Sequence, residues 1–262
     1  MKITKIAIPL LTLVLLASCG AKKESSSSAP ASTPESTESQ PSSEPAPTFE
    51  AYTLSQLHEA RVAKSLASLD NKYVSVKGKV TFAKRTNDTY DILFIQNGKY
   101  AVEVSYPSPY SVNVGDAVEV KGQFRYDKMG VLDTIAISTY RDTNANFNIS
   151  VINEAISTET VTITKKAELV EYEGSLAKID FKVTSNDRTN AAFDGKLAGS
   201  GEEDPTFIVA NKLGISDKFE GDGHPFEVND DVRYEGVFTY SEAEDVKVIR
   251  YLDKEGFKKI SE

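Results

Sequence analysis

The sequence predicts an all-β protein with two small five-stranded barrels in tandem, and three observations support this prediction. Residues 114–124 alternate apolar and polar side chains after a tight turn, and residues 228–238 repeat this pattern. Residues 74–81 and 177–184 form a second matching pair, and each lies upstream of its member of the first pair. Each member of the first pair carries a glycine at an inward-pointing position, where a sheet can bend or backbones can approach closely. One β unit is therefore used twice.

The first barrel is predicted within residues 49–142. Thr53 begins a capping box, and leucines at roughly helical spacing predict one helix that continues to residue 70. Asn97-Gly98 fits a two-residue hairpin turn, because both positions tolerate positive φ. The second strand is apolar on both faces, so its outer face is covered by the helix or by a ligand. Alternation with period two predicts the strands at 74–82, 90–96, 100–106, 118–124 and 131–137.

The second barrel is predicted within residues 159–262, after a connector at 143–158. It lacks an equivalent of the Ile-Gln-Asn-Gly segment of the first unit, so the match between the units is weaker there. Residues 213–219 are a candidate for a short helix. The candidate strands are 176–184, 191–198, 206–210, 231–240 and 245–252.

Three segments of the first unit carry a family resemblance. They are Val-x-Val-x-Gly-x-Val, Tyr-x-Ile-x-x-Ile-Gln-Asn-Gly and Val-Gly-Asp-x-Val-x-Val-x-Gly, within residues 50–140. In this order they resemble the small extracellular OB-fold domains of secreted bacterial proteins, which often sit beside nucleases or phosphoesterases. The resemblance implies a Greek-key barrel that binds along its second and third strands and the loops between strands 1 and 2 and strands 4 and 5. It implies no chemistry by itself.

Residues 1–19 predict a lipoprotein signal peptide. Lys2 and Lys5 precede an apolar run at 6–17, which is shorter than the ~20 residues that a membrane-spanning helix needs. The run ends in Leu16-Ala17-Ser18-Cys19, which resembles the lipobox of bacterial lipoproteins. Cys19 is the only cysteine of the chain, so a disulfide within the chain is excluded. We expect Cys19 to carry the lipid that anchors the protein.

Residues 20–48 predict a disordered tether. They consist mainly of Ser, Pro, Thr, Glu and Ala, which cannot bury enough apolar surface to offset the entropy of ordering. A flexible coil of this length spans ~30 Å on average. The style of this linker resembles surface lipoproteins of Gram-positive bacteria or mollicutes. We therefore expect the folded part on the extracytoplasmic face of the cell membrane, held there by the lipid on Cys19.

Charge separates the two predicted barrels. Residues 49–158 contain twelve Lys and Arg and twelve Asp and Glu, whereas residues 159–262 contain fourteen and twenty-three. The net charge of −9 therefore lies in the second unit. Nucleic-acid affinity depends on cations that cancel phosphate charge, so the second unit is a poor nucleic-acid binder. Nucleic acid remains a possible partner for the first unit only.

Cations and aromatic rings on the first barrel form the candidate ligand site. Interleaved cations and stacking rings hold single strands on OB folds. A charged outer face is also typical of any exposed strand, and tyrosines at period two more often belong to the core. Oligosaccharide, peptide and oligonucleotide ligands all stay open. The candidate residues are Lys77, Lys79, Lys84, Arg85, Tyr90, Lys99, Tyr100 and Lys128, with Tyr106 as a further ring.

The sequence offers few residues for metal binding or catalysis. Residues 217–224 supply oxygen ligands but lack the pattern of a Ca²⁺ loop, and a solvated turn is the better interpretation. His58 and His224 are the only histidines, Gly-x-Ser-x-Gly and phosphate loops are absent, and Glu202-Glu203-Asp204 belongs to a polar loop. We therefore predict a non-catalytic binding module without metal or cofactor.

Three alternatives to this prediction stay open. The first is a module that captures single-stranded nucleic acid for a separate secreted nuclease. The second is a divergent metal-dependent hydrolase with its site in the acidic unit. The third is a purely structural role on the cell envelope.

Overall fold

The computed structural model describes residues 47–85, 90–107, 112–126, 134–136, 147–186, 192–212, 225–243 and 246–260. These residues belong to one compact unit. Cys19, Lys128, His224 and the predicted helix at 213–219 lie outside the described residues, as do the predicted signal peptide and nearly all of the linker.

The first sheet closes into a barrel. Five of its seven strands pair side by side, and the last of the five pairs back with the first. Helix α1 (Leu54–Val62) lies between the first two strands of the sheet in chain order. The strands are β1 (Glu50–Tyr52), β2 (Tyr73–Arg85), β3 (Tyr90–Asn97), β4 (Tyr100–Pro107), β5 (Ala117–Arg125), β6 (Thr134–Ala136) and β7 (Asn148–Val151).

Five of these strands form the barrel, in the order β2-β3-β4-β6-β5 and back to β2. The other two extend it: β1 runs parallel to β2, and β7 runs antiparallel to β5. Strand β7 lies inside the segment that the sequence predicted as a connector. It therefore belongs to the sheet of the first barrel.

The second sheet repeats this design. Barrel strands pair in the order β9-β10-β11-β13-β12 and back to β9, while β8 is parallel to β9 and β14 is antiparallel to β12. A short helix, α2 (Lys166–Glu171), again follows the parallel strand. The strands are β8 (Val161–Ile163), β9 (Leu176–Ser185), β10 (Ala192–Leu197), β11 (Phe207–Asn211), β12 (Asp231–Ala243), β13 (Val246–Tyr251) and β14 (Phe257–Lys259).

Strand register confirms the duplication that the sequence predicted. Gly122 of β5 lies opposite Val74 of β2, and the matching Gly236 of β12 lies opposite Ala177 of β9. The predicted all-β fold with two Greek-key barrels is therefore confirmed. The structure also extends the repeat, because each barrel carries the same parallel strand, helix and additional antiparallel strand around it.

The tight turns before β5 and β12 match in detail. In each turn the aspartate side chain accepts a hydrogen bond from the backbone N–H three residues earlier, at 2.8 Å for Asp116 and 2.7 Å for Asp230. The preceding residue has positive φ in both, +101° at Gly115 and +78° at Asn229. Glycine and asparagine are the residues that adopt this region at least cost. The same turn therefore forms from two different residues.

Each barrel has its own hydrophobic core, and a third cluster joins them. The cores are built from the inward-facing residues of the alternating strands, as the period of two predicted. In the first barrel they include Val74, Val76, Leu93, Val104, Val118, Val120 and Phe124. In the second barrel they include Ile179, Phe181, Phe193, Phe207, Val232, Tyr234, Phe238 and Tyr251.

The helix before the first barrel is shorter than the sequence predicted. Thr53 forms the predicted capping box with Gln56, so the start of the helix is correct. Helix α1 ends at Val62, because Lys64 takes a positive φ of +55° that an α-helix cannot contain. A separate 3-10 helix, Leu66–Ser68, follows and places Leu66 in the core. The prediction of one continuous helix is therefore wrong.

Candidate binding groove on the first barrel

The second barrel covers the outer face of strand β3. Phe94 is completely buried there and forms a cluster with Val237 and Leu252 of the second barrel, while Ile92 and Leu176 pack around it. This contact explains why β3 is apolar on both faces: one face belongs to the core of the first barrel and the other to the junction. Neither the helix nor a ligand is needed to cover it. An OB-fold ligand that lay along this strand would meet the second barrel.

Gln96 links the first barrel to the second through its side-chain amide, which makes three hydrogen bonds. Its side-chain Nε2 donates to the carbonyl oxygens of Gly98 at 2.8 Å and Glu159 at 2.6 Å. Its Oε1 accepts from the backbone N–H of Leu176, the first residue of β9, at 2.8 Å. The residue is completely buried, so the satisfied amide fixes the start of the second barrel against β3.

Two further polar contacts close the junction. The Lys212 ammonium pairs with the Glu103 carboxylate, and both side chains are only about one-seventh exposed, at 15% and 13%. The same ammonium lies 5.2 Å from the centre of the Phe94 ring. The buried Ser175 hydroxyl donates to the Lys99 carbonyl oxygen at 2.7 Å. The two barrels therefore dock through a mixed apolar and polar surface.

Lys99 and Tyr100, two of the predicted ligand residues, lie at this junction. The Tyr100 ring stacks on His58 of α1, with ring centres 4.1 Å apart. The Lys99 ammonium lies over the rings of Tyr100 and Tyr172, 5.5 Å and 5.1 Å from their centres, and donates to the Tyr172 hydroxyl at 3.1 Å. These groups hold one another across the two barrels.

Burial lowers the pKa of His58 in this stack. The nearby cations Arg61 and Lys99 lower it further, whereas the Glu171 carboxylate raises it. The His58 Nδ1 atom is buried and has no hydrogen-bond partner among the described residues. His58 therefore favours its neutral form.

Residues 152–159 cross the first barrel as a strap. The Ile152 N–H donates to the Ala117 carbonyl at 2.8 Å, which fixes the strap to the start of β5. At the other end the Gly98 N–H donates to the Ser157 carbonyl at 2.9 Å, and the Glu159 N–H donates to the Gly98 carbonyl at 2.7 Å. Between these anchors a salt bridge joins the side chains of Lys77 and Glu154, and both remain well exposed.

An open groove, the strap groove, lies between the strap and the barrel. Its volume is about 410 Å³. Within the described ranges, the half-buried side chain of Lys79 has neither a hydrogen bond nor an ion pair. The lining residues are Lys79, Gly115, Ala117, Glu154, Ala155, Ile156 and Ser157. A cation that has no partner among the described residues thus lines a groove with mostly small side chains.

The predicted site residues fall into separate places. Lys77 and Lys79 lie at the strap groove, whereas Lys84 lies farther along β2, opposite Ile92, and has a partner of its own. Arg85, at the end of β2, pairs with Asp91 of β3, and Tyr90, at the start of β3, pairs with Pro107 of β4. Their side chains, and that of Tyr106, lie outside the described part of the chain, as does all of Lys128.

Sequence reasoning missed the strap and the role of Tyr172. The strap has no periodic pattern. It lies beside Lys79 because long-range hydrogen bonds with Gly98 and Ala117 hold it there. One signal was present in the sequence: Gln96, a polar residue at the end of an apolar strand. A buried amide there needs partners, and these come from the second barrel.

The described ranges contain neither a cluster of metal ligands nor a membrane-spanning helix. Across the described ranges, no three His, Cys, Asp or Glu side chains come together as metal ligands. The helices within those ranges are too short or too polar to cross a lipid bilayer. The glycine-rich segment 217–224 lies outside the described residues.

Comparison with known proteins gives only weak likenesses. No family model and no curated protein matches this chain. The p204 HINb domain has a TM-score of 0.38 and 12% identity, over 73% of this chain and 99% of that one. A murine DNA-binding protein bound to double-stranded DNA has a TM-score of 0.37 and 9% identity, over 72% and 96%. These TM-scores are too low to support an argument about this chain.

Proposed function

We propose that this protein is a lipid-anchored, extracytoplasmic binding protein without catalytic activity, and that its strap groove holds the ligand. One observation carries the proposal: the half-buried Lys79 side chain lines an open groove and its ammonium has no partner within the described residues. A ligand that supplies polar or anionic groups would satisfy it.

The position of the second barrel supports the choice of the groove. It covers Phe94 and Gln96 on β3, where the OB-fold resemblance implies a ligand. Lys99 and Tyr100 are engaged in the same junction. Lys77 and Lys79 lie on a different part of the first barrel and border the strap. Of the predicted cations, Lys79 lines the groove and Lys77 pairs with the groove carboxylate Glu154.

The membrane anchor rests on the lipobox at Cys19 and the polar linker that follows it. Lipid chains contribute ~0.8 kcal/mol per buried CH₂, so two or more chains hold a protein at a membrane stably. Metabolic labelling with a palmitate analogue should mark the wild-type chain and leave Cys19→Ala unlabelled. The Cys19→Ala chain should also leave the membrane fraction. A labelled Cys19→Ala chain that stays with the membrane would refute the anchor.

Binding is tested with three probes on the full ¹⁵N-labelled chain. The probes are tetra-N-acetylchitotetraose, a terminally blocked mixed-sequence hexapeptide that contains Glu, and a twelve-nucleotide oligo-dT. We expect saturable amide shifts at Lys79, Gly115 and Ala117 with at least one probe, and loss of these shifts in Lys79→Met. Lys182→Met, on the second barrel, is the control. The absence of saturable shifts at the groove with all three probes would refute the proposed site.

The same experiment separates the alternatives. Oligo-dT binding that weakens steeply as salt rises would replace this proposal with a nucleic-acid capture module. Turnover of phosphodiester, peptide or glycosidic substrates with added Mg²⁺ or Ca²⁺ would replace it with a hydrolase. Binding without turnover supports the proposal.

A further inference from the structure

We infer that the strap groove takes an extended peptide, with an acidic side chain of that peptide on Lys79 and its backbone along the strap. This inference rests on the proposed function, because it names the ligand class of the same groove. It is supported by an internal comparison between the two barrels, by the unpaired backbone of the strap and by the balance of charge around Lys79.

The duplication provides the comparison. Lys79 of β2 lies opposite Ala117 of β5, and the matching Lys182 of β9 lies opposite Asp231 of β12. In the second barrel the Lys182 ammonium has its counter-charge, 3.4 Å from an Asp231 carboxylate oxygen. In the first barrel the position of this aspartate is occupied by Ala117, which lines the groove. The first barrel therefore has the cation of the pair but lacks its carboxylate.

The strap offers the main-chain groups that an extended peptide needs. Between its anchors at Ile152 and Ser157, the backbone N–H and C=O groups of residues 153–156 have no hydrogen-bond partner within the described part of the chain. Asn153 and Ala155 are exposed. Exposed backbone donors and acceptors of this kind can pair with the backbone of an added peptide.

Small side chains leave space for this ligand, and the charge at the groove favours an acidic one. Gly115, Ala117, Ala155 and Ser157 line the groove, so the backbone of a peptide can approach closely. The other carboxylate of the groove, Glu154, is paired with Lys77 and is therefore partly neutralised. Among the described residues that line the groove, the charge that remains without a partner is the positive charge of Lys79. An acidic side chain complements it, and a charge-assisted hydrogen bond to an ammonium is stronger than a neutral one.

The test uses the full chain and two terminally blocked peptides, Ac-Thr-Val-Thr-Glu-Val-Thr-NH₂ and its analogue with Gln in place of Glu. Calorimetric titration should give about threefold or more tighter binding for the Glu peptide, because a hydrogen bond between two ions is stronger than the bond of the same ammonium to a neutral amide. Ala117→Asp places in the first barrel the carboxylate that the second barrel already has. It should abolish the preference for Glu and weaken binding of the Glu peptide about threefold or more.

Two further variants complete the design. Lys79→Met should bind both peptides equally, and Lys182→Met, the matched lysine of the second barrel, should behave as wild type. Thermal unfolding by circular dichroism establishes that each variant is folded. Equal affinity of wild type for the two peptides, or an unchanged preference in Ala117→Asp, would overturn the inference.

The failure of this inference is distinguishable from failure of the proposed function. If the chitotetraose shifts the groove amides while the Glu peptide leaves them unchanged, the groove binds a ligand but the peptide assignment is wrong. If neither of these probes nor oligo-dT shifts the groove amides, the proposed function fails as well.

Discussion

Replacing Gln96 with methionine tests how much its hydrogen bonds at the junction of the two barrels contribute to stability. Methionine keeps the length of the side chain and removes both the donor and the acceptor. The substitution leaves the backbone N–H of Leu176 without its partner 2.8 Å away, and each of the carbonyls of Gly98 and Glu159 loses the hydrogen bond from the Gln96 amide. The Gly98 carbonyl keeps its bond from the Glu159 N–H.

The expected cost follows from these contacts. A buried donor left without a partner costs about 1–3 kcal/mol, and each ordinary hydrogen bond contributes about 0.5–1.5 kcal/mol. Glu159 is an exposed residue, so water can replace part of the loss at its carbonyl. We therefore expect the free energy of unfolding to fall by about 2–4 kcal/mol in Gln96→Met.

Urea unfolding, followed by circular dichroism and by tyrosine fluorescence, measures this change. Gln123→Met is the matched control, because Gln123 makes a single, solvent-exposed hydrogen bond to the Asn71 carbonyl. The control should lose no more than about 1 kcal/mol. The reasoning is refuted if Gln96→Met and Gln123→Met have the same stability within 0.5 kcal/mol.

Three other predictions concern the second barrel, the junction and pH. Gly236→Ala should destabilise the protein by about 1–3 kcal/mol in chemical denaturation, because the new Cβ would lie 2.6 Å from the Tyr234 hydroxyl, whereas Gly201→Ala, which meets only a contact of 3.6 Å, should be close to neutral. Lys212→Met should cost more than the double variant Lys212→Met/Glu103→Met, since the single change leaves a largely buried carboxylate unpaired; equal losses would contradict this. The pKa of His58 is lowered in the native protein, so native His58 stays neutral at a pH where the unfolded chain already binds a proton. Stability should therefore fall as pH drops below about 6.5. In pH-dependent unfolding, His58→Phe should reduce this fall.

Much of the fold could be predicted because its signals are local. Alternation in 114–124 and 228–238 defines one buried face of each strand. The turn aspartates Asp116 and Asp230 form their hydrogen bonds with backbone N–H groups only three residues away. The strands that sequence reasoning missed are β1, β7, β8 and β14. They have three or four residues each and are held by long-range pairing with barrel strands, which no local pattern encodes.

The site was predicted less well, for a related reason. Lys79 and Lys99 look alike in the sequence, because each is a lysine near an aromatic or β-branched strand residue. Long-range contacts separate them: Tyr172 of the second barrel engages Lys99, whereas Lys79 faces the strap. The sequence shows that β3 is apolar on both faces, and it predicts a helix or a ligand over the outer face. A barrel some eighty residues later in the chain covers it, as the Leu176–Gln96 hydrogen bond shows.

The most direct test of this account is a map of amide chemical-shift changes in the full chain as the Glu peptide is added. The account predicts saturable changes at Lys77, Lys79, Gly115, Ala117 and along residues 153–157, with the β3 residues Phe94 and Gln96 unchanged. Changes confined to Phe94, Gln96 and Tyr100 would show that the ligand reaches the face covered by the second barrel, and would contradict it.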